Sequence, residues 1–226
     1  MVYHVFVYAN YIVRSDHVFH SALLNPFDTS LYHLINGLAG HISVLDTIMI
    51  FFANYALEIY VVLFIIAWFV LPKKDIKHRH ALIIAGLSGI LALILNVVIA
   101  NIWFRPRPFT VFPKGSFTQL VPHSSDASFP SDHASGSFGF AAASWGRNEK
   151  WISRTFTTIA ILVMIARVYV GVHYPTDVLA GLVIGIIASR IMWRLARFIF
   201  PVSVWVAKLF HFGEGQDKNK AADTLH

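Results

Sequence analysis

Long apolar stretches without charge recur along the chain, and short polar segments separate them. A helix needs about 20 apolar residues to cross the hydrocarbon core of a membrane, so this pattern predicts transmembrane helices. The clearest predicted spans are residues 81–104, 151–172 and 178–193, with a shorter one rich in small residues at 133–145.

Residues 42–71 form a nearly continuous apolar stretch that is too long for one ordinary span. Two helices, over residues 30–55 and 56–71 with a break near Asn54, account for it better. Together the stretches predict an all-α, polytopic membrane bundle of about six transmembrane helices.

The composition agrees with a membrane protein, since 56% of the residues are hydrophobic, only 13% are charged and the mean hydropathy is +0.60. Soluble domains have about 45–50% apolar residues, which argues against a water-soluble globule. The chain has no cysteine, which excludes disulfides, thiolate metal sites and cysteine nucleophiles. Nucleic-acid binding is disfavoured despite a formal charge of +6, because the cations flank membrane segments.

The lysines and arginines fall mostly on one predicted side of the membrane. The positive-inside rule assigns that side, together with both chain ends, to the cytoplasm. The clusters are Lys73, Lys74, Lys77 and Arg79; Arg147, Lys150 and Arg154; and Arg190, Arg194, Arg197, Lys208, Lys218 and Lys220. Arg105, Arg107 and Lys114 fall on the opposite side, where so few cations are expected that an anionic ligand explains them better.

The two ends of the chain differ from its apolar body. Residues 1–29 are apolar at the start but too short to span, and they lack a basic region and a cleavage site. An interfacial or disordered extension is therefore expected there, followed by a membrane domain over residues 30–200 and a cytoplasmic tail over 201–226. Gly181 and Gly185 have the spacing of close helix packing, which does not indicate an oligomeric state.

Three polar clusters interrupt the apolar pattern, and the topology places all of them at extracytoplasmic helix ends. They are FRPRPF (residues 104–109), ASFPSDH (127–133) and ARVYVGVHYPTD (166–177). Although they are far apart in the sequence, the topology allows them to meet in one site.

The arginines of these clusters suit a phosphate ligand, because a guanidinium stays charged and makes bidentate contacts with phosphate. Arg167 lies inside an apolar helix, where an unpaired cation is costly, so a buried anionic partner is expected. Arg107 is the second candidate. Arg105 lies beside the interface, and lipid headgroup contact explains it equally well.

Ser131 precedes a run of small residues that reads as a helix, so a helix N-terminus faces the clusters. Free backbone N–H groups there favour a phosphate, and the serine hydroxyl adds a donor. His133, in the first turn, is close enough to protonate a leaving oxygen. The alternatives are that Ser131 only caps the helix and that His133 is structural.

In HYPTD, Pro175 suits the first turn of a helix, which places Asp177 and His173 near each other. A carboxylate on one imidazole nitrogen makes the other a better nucleophile, so His173 is the nucleophile candidate. The alternative is a capping Asp177 with an unrelated histidine. Two histidines and an aspartate could also bind zinc, but the arginines would repel a dication, so we expect no metal and no other cofactor.

The three clusters resemble the signature motifs of the type 2 phosphatidic acid phosphatase superfamily, Lys-x6-Arg-Pro, Pro-Ser-x-His and Ser-Arg-x5-His-x3-Asp. The matching residues are Arg107 and Pro108; Pro130, Ser131 and His133; and Arg167, His173 and Asp177. Within the superfamily, three longer segments are similar to bacterial undecaprenyl-diphosphatases of the bacitracin-resistance type. These segments are FxPRPF, PHxxDASFPSDH and RVxVGxHYPxD.

The resemblance implies an enzyme that removes the terminal phosphate of a polyprenyl diphosphate outside the cytoplasmic membrane, which regenerates the lipid carrier of cell-wall synthesis. In the implied mechanism, His173 attacks phosphorus and forms a phosphohistidine, which Asp177 orients and stabilises. His133 protonates the leaving lipid phosphate and then activates water, and the arginines and Ser131 hold the phosphoryl oxygens. No metal takes part, and besides this substrate only membrane lipids are expected as partners.

Two positions depart from the motifs. Ala100 occupies the position of the lysine in the first motif, and Ala166 occupies the position of the serine that begins the third motif. Arg105 or Lys114 is expected to replace the missing charge. His123 and Asp126 precede the second motif and are candidates for contact with the second phosphate, or belong to an ordinary solvated loop.

Two other functions stay open from the sequence. One is a phosphatidylglycerophosphate or phosphatidate phosphatase of the same superfamily, because the motifs report the phosphoryl end and not the lipid. The other is a lipid or anion transporter whose arginines and histidines bind a headgroup without turnover.

Overall fold

The computed structural model describes residues 25–213, and within that range it contains helices and no strand. The helices are α1 (Pro26–Asn36), α2 (Ser43–Asn54), α3 (Ala56–Val70), α4 (Ile76–Ile102), α5 (Pro108–Val111), α6 (Asp132–Ser144), α7 (Lys150–Tyr169) and α8 (Pro175–Leu209). The predicted all-α class is therefore confirmed. The predicted break is confirmed too, because Tyr55 separates α2 from α3 at a bend of 74°.

Helices α3, α4, α6, α7 and α8 run between two ends of the bundle. At the first, which we call the site end, the backbone N–H of Ser131 at the start of α6 donates to the carbonyl of Asp177 at the start of α8, 3.2 Å away. At the second, the basic end, the N–H of Gly213 donates to the carbonyl of Lys73 at 2.9 Å, and Arg147 lies over the ring of Trp193. The basic segments thus gather opposite the polar clusters.

Glycines let α4, α6 and α8 pack with their backbones in contact. A Cβ atom on Gly139 of α6 would lie 2.8 Å from the Cα of Gly89 in α4, and one on Gly185 of α8 would lie 2.7 Å from the nitrogen of Gly139. Small residues at helix contacts permit such approach. The packing role predicted for Gly185 is confirmed, and it sets the distance between the helices that carry the site.

Three described helices, α4, α7 and α8, are long and apolar enough to cross a membrane, and the bent pair α2–α3 would make a fourth. With 15 and 13 residues, α3 and α6 are about 22 and 20 Å long, shorter than a hydrocarbon core of about 30 Å. The chain is a multi-pass membrane protein, but the described helices do not reach the predicted six spans.

The prediction of one helix over residues 30–55 is wrong. Residues 37–42 turn between α1 and α2, and Gly40 adopts a φ of 82°, in the left-handed region that favours glycine. The apolar residues around this turn concealed it in the sequence pattern.

Helix α1 lies across the site end rather than along the bundle. Near its start, Asp28 pairs with Arg105, and at its end, Asn36 donates to the carbonyl of Tyr169 at 2.8 Å. Because both ends of α1 contact the site end, this helix is not a span. The described residues therefore begin at the site end and finish at the basic end. The predicted cytoplasmic side of both chain ends stays a prediction, since residues 1–24 and 214–226 lie outside the described part.

Most of the predicted N-terminal extension and of the predicted tail, residues 1–24 and 214–226, lies outside the described residues. The described part nevertheless extends past both predicted domain boundaries. Helix α1 begins at Pro26, and α8 continues through Pro201 to Leu209.

We expect Gly139→Ala to lower the free energy of unfolding by about 1–3 kcal/mol, because its Cβ would meet backbone atoms that cannot move aside. Gly86→Ala is the matched control, since its nearest neighbour would be the Phe64 ring at 3.8 Å. Thermal unfolding in detergent measures both. Equal midpoints for the two variants would contradict the packing described here.

Candidate active site

Arg107 connects the three polar clusters at the site end. Its Nη1 donates to the carbonyl of Val172 at 2.9 Å and lies 3.2 Å from Nε2 of His173, and its Nη2 donates to the carbonyl of Ala127 at 3.2 Å. These partners belong to the second and third clusters. The structure thus brings together segments that lie 20 to 66 residues apart in the sequence.

His173 lies in the turn between α7 and α8 and is 2% exposed. Its Nδ1 is 2.9 Å from the carbonyl oxygen of Ser128, which can only accept, so Nδ1 carries the proton. Burial, followed by the charges of Arg107 and Arg167, holds the pKa of His173 well below its usual value. The ring is therefore neutral at pH 7, and the lone pair of Nε2 points to Arg107.

Asp177 does not orient His173 through the direct hydrogen bond that the sequence suggested. Its Oδ2 lies 3.6 Å from Nδ1 of His173 and accepts instead from the hydroxyl of Ser128 and from the N–H of Tyr174. Asp177 therefore acts on the imidazole through Ser128 and through its charge. Ser128 lies inside the second cluster but outside the motif residues, so its role could not be predicted from the motifs.

Ser131 precedes the first residue of α6, yet its side chain makes no capping hydrogen bond. Its hydroxyl is buried and has no partner among the described residues. The reading of Ser131 as only a cap is therefore not supported. His133, partly buried in the first turn of α6, lies within electrostatic range of Arg107, Arg167 and His173.

Arg167 is a buried cation with few partners. Its Nη1 donates to the carbonyl of Ala53 at 2.9 Å, while Nε and Nη2 are buried without a partner among the described residues. Unpaired guanidinium nitrogens in an apolar region favour an anion as their partner. The Ser131 hydroxyl and the backbone N–H groups at the start of α6 are further donors of the kind that suit phosphoryl oxygens.

Arg105 has a different place from the one expected. Its guanidinium pairs with Asp28 at 2.6 Å and with Asp177 at 2.7 Å. Although burial acts to lower the pKa of Arg105, the two carboxylates raise it above its usual value. Lys114 is exposed in the loop after α5, with no described contact to the site. That Arg105 or Lys114 replaces the charge of the motif lysine stays a prediction.

His123 and Asp126 border the site. The ring centroids of His123 and His173 are 6.3 Å apart, and Asp126 Oδ1 accepts from Nε of Arg107 at 2.8 Å. Burial acts to raise the pKa of Asp126, but Arg107 and the hydroxyl of Ser124 lower it below its usual value. The carboxylate of Asp126 is thus an anion that competes with any other anion for Arg107.

The possible zinc ligands named from the sequence do not lie close enough together to bind one metal ion. These residues are His133, His173 and Asp177. Among residues 25–213 a group of three ligand atoms at metal-binding separation is formed by Asp75, His78 and Glu149 at the basic end, away from these residues.

The site combines a neutral imidazole whose Nε2 lone pair faces Arg107, a second guanidinium group and a helix N-terminus. This arrangement is suited to nucleophilic attack on a phosphoryl group. Residues 81–200 match the PAP2 superfamily, and the chain belongs to this family.

Two relatives and one solved structure are similar to the chain. It is 35% identical over 180 residues to undecaprenyl-diphosphatase BcrC of Bacillus subtilis, and the alignment covers 80% of this chain and 90% of the relative. It is 28% identical over 172 residues to the bacitracin transport permease protein BcrC of Bacillus licheniformis, covering 75% and 81%. The crystal structure of Aquifex aeolicus LpxE matches with a TM-score of 0.61 and 26% identity, covering 75% of this chain and 96% of that one.

We expect Asp126→Asn to tighten the binding of inorganic phosphate by about two- to five-fold, because an exposed carboxylate no longer competes for Arg107. Calorimetric titration of the purified protein in detergent measures the Kd. The control is Glu149→Gln, which neutralises an exposed acid at the basic end. Unchanged or weaker phosphate binding in Asp126→Asn would contradict this competition.

Proposed function

We propose that the protein hydrolyses undecaprenyl diphosphate to undecaprenyl phosphate and inorganic phosphate. The observation that carries the proposal is the buried His173 ring, whose Nε2 faces Arg107 while Ser128 holds its Nδ1. Membership of the PAP2 superfamily and 35% identity to the undecaprenyl-diphosphatase of Bacillus subtilis support the substrate class.

The terminal phosphate binds between Arg167 and the start of α6. Nε and Nη2 of Arg167 and the hydroxyl of Ser131 supply donors that no described group uses. Arg107 neutralises charge beside the attacking nitrogen, and His123 contacts the second phosphate. Because the donors are fixed before the substrate binds, they stabilise the transition state without reorganisation.

Nε2 of His173 attacks the terminal phosphorus, and an N–P bond forms while the bond from phosphorus to the bridging oxygen breaks. Burial and the charges of Arg167 and Arg107 lower the pKa of His133 to about 3, and the negative charge of the bound diphosphate offsets these cations so that His133 takes up a proton in the complex. The undecaprenyl phosphate leaves with this proton. The imidazole gains a positive charge, which Asp177, 3.6 Å from Nδ1, stabilises. The intermediate is a phosphohistidine.

Water completes the cycle. His133, which has lost its proton, takes one from a water molecule that attacks phosphorus. The N–P bond breaks, inorganic phosphate leaves and both histidines return to their first states. No step uses a metal ion.

The site faces the extracytoplasmic side in this proposal, because the basic segments at the opposite end favour the cytoplasm. There the reaction returns the lipid carrier as its monophosphate for cell-wall synthesis. The name of the relative from Bacillus licheniformis, a bacitracin transport permease protein, supports a link to bacitracin resistance.

The side of the membrane that the site faces can be tested with single introduced cysteines, because the natural chain contains no cysteine that would react as well. Lys114→Cys, exposed at the site end, is expected to react with a membrane-impermeant maleimide in intact cells, whereas Lys150→Cys, exposed at the basic end, reacts only after lysis. The opposite pattern would place the site in the cytoplasm.

Activity is tested by phosphate release from undecaprenyl diphosphate in detergent with EDTA present. We expect the wild-type enzyme to turn over and His173→Gln to lose about 10³-fold or more of kcat, because no nucleophile is left. His41→Gln, at an exposed histidine between α1 and α2, is the control and keeps wild-type rates.

The same assay separates the alternatives. A higher kcat/KM on phosphatidylglycerophosphate or phosphatidate than on undecaprenyl diphosphate would contradict the proposed substrate. Binding of undecaprenyl diphosphate without any phosphate release would favour a transporter.

A further inference from the structure

A ring of buried and partly buried contacts attaches the start of α1 to the start of α8. Asp28 accepts from Nη2 of Arg105 at 2.6 Å and from the N–H and hydroxyl of Thr176 at 2.8 and 2.6 Å. Nη1 of Arg105 donates to the hydroxyl oxygen of Thr176 at 2.7 Å. Both oxygens of the Asp28 carboxylate are therefore used within this ring.

The same guanidinium extends these contacts to the reacting histidine. Nη1 of Arg105 also donates to Oδ1 of Asp177 at 2.7 Å, and the other oxygen of Asp177 accepts from the hydroxyl of Ser128. The carbonyl of Ser128 then accepts from Nδ1 of His173 at 2.9 Å. A series of hydrogen bonds thus runs from α1 to the Ser128 hydroxyl, and the covalent structure of Ser128 links it to the hydrogen bond between its carbonyl and the imidazole.

We propose that Asp28 is a positioning residue for phosphoryl transfer, which makes α1 part of the catalytic unit. The proposal deepens the proposed function and rests on it. Asp28 and Asp177 are fully buried, and Arg105 is held between them. Loss of one partner leaves buried charge incompletely paired, so the rest of the series shifts to compensate. The group at its end is the Ser128 carbonyl that selects the tautomer of His173.

This role differs from merely attaching α1, because α1 has other anchors. Nδ2 of Asn36 donates to the carbonyls of Tyr169 and Thr118 at 2.8 and 2.7 Å, and the hydroxyl of Tyr32 contacts the carbonyl of Gly171 at 3.4 Å. Asp28→Asn keeps nearly the same size and leaves these contacts in place. The variant is therefore expected to fold with α1 docked.

The first experiment needs no turnover. Full-length protein labelled with ¹⁵N-histidine is studied in micelles by NMR, and the His173 signal is identified by its loss in His173→Gln. We expect one Nδ1-protonated tautomer in the wild-type protein and a mixture of both tautomers in Asp28→Asn. An unchanged His173 signal in Asp28→Asn overturns the proposal, whatever the substrate is.

The second experiment measures kinetics on undecaprenyl diphosphate. Asp28→Asn is expected to lower kcat by about 10- to 100-fold with KM within about three-fold, because substrate contacts are intact. If Asp28 acts through Arg105, the double variant Asp28→Asn with Arg105→Gln has a kcat no lower than that of Arg105→Gln alone. Additive losses, or a loss of folded protein that accounts for the lower rate, overturn the proposal.

Asp46→Asn is the matched control, since this α2 carboxylate accepts from the hydroxyl of Tyr169 at 2.7 Å and does not touch the series. It is expected to leave both the His173 signal and kcat unchanged. Failure of the wild-type enzyme to release phosphate would reject the proposed function, and the NMR result would still decide the role of Asp28.

Discussion

A guanidinium buried at the end of a membrane bundle requires negative charge or polar partners, and this requirement organises the site. The three arginines meet it to different degrees. Arg105 lies between two buried carboxylates, Arg107 has one exposed carboxylate and two backbone carbonyls, and Arg167 has one backbone carbonyl. Arg167 is therefore the least compensated of the three cations. Its unpaired nitrogens and the backbone N–H groups at the start of α6 favour a phosphoryl group as their partner.

The fold supplies this arrangement through the direction of its helices. The starts of α6 and α8 and the ends of α4 and α7 meet at one end, so backbone donors and charged side chains from distant segments converge. Glycines let α4, α6 and α8 approach closely, which leaves little freedom in the distance between these termini. The His173 ring lies in the short turn between α7 and α8, and the Ser128 backbone carbonyl, rather than a mobile side chain, accepts the hydrogen bond from its Nδ1.

Sequence patterns were sufficient to predict the all-α membrane class and the gathering of the polar clusters. Both predictions depend on features of short segments, namely the length of an apolar stretch and the spacing of motif residues. They were insufficient for Asp28 and Ser128. Asp28 lies before the first predicted helix, and its importance depends on α1 folding back across the site end. The one-helix prediction over residues 30–55 also assigned α1 to a span. The partners of Arg105 were missed for the same reason, since a basic residue at a helix end has the same pattern whether it binds phosphate or a buried carboxylate.

The central claim, that His173 is the nucleophile in this anion site, is tested most directly by trapping its intermediate. The enzyme is mixed with undecaprenyl diphosphate carrying ³²P in the terminal phosphate and quenched in alkali within milliseconds, and the labelled peptide is identified by mass spectrometry. We expect an acid-labile, alkali-stable label on His173 that is absent in His173→Gln. Turnover without a labelled histidine, or a label on another residue, would contradict it.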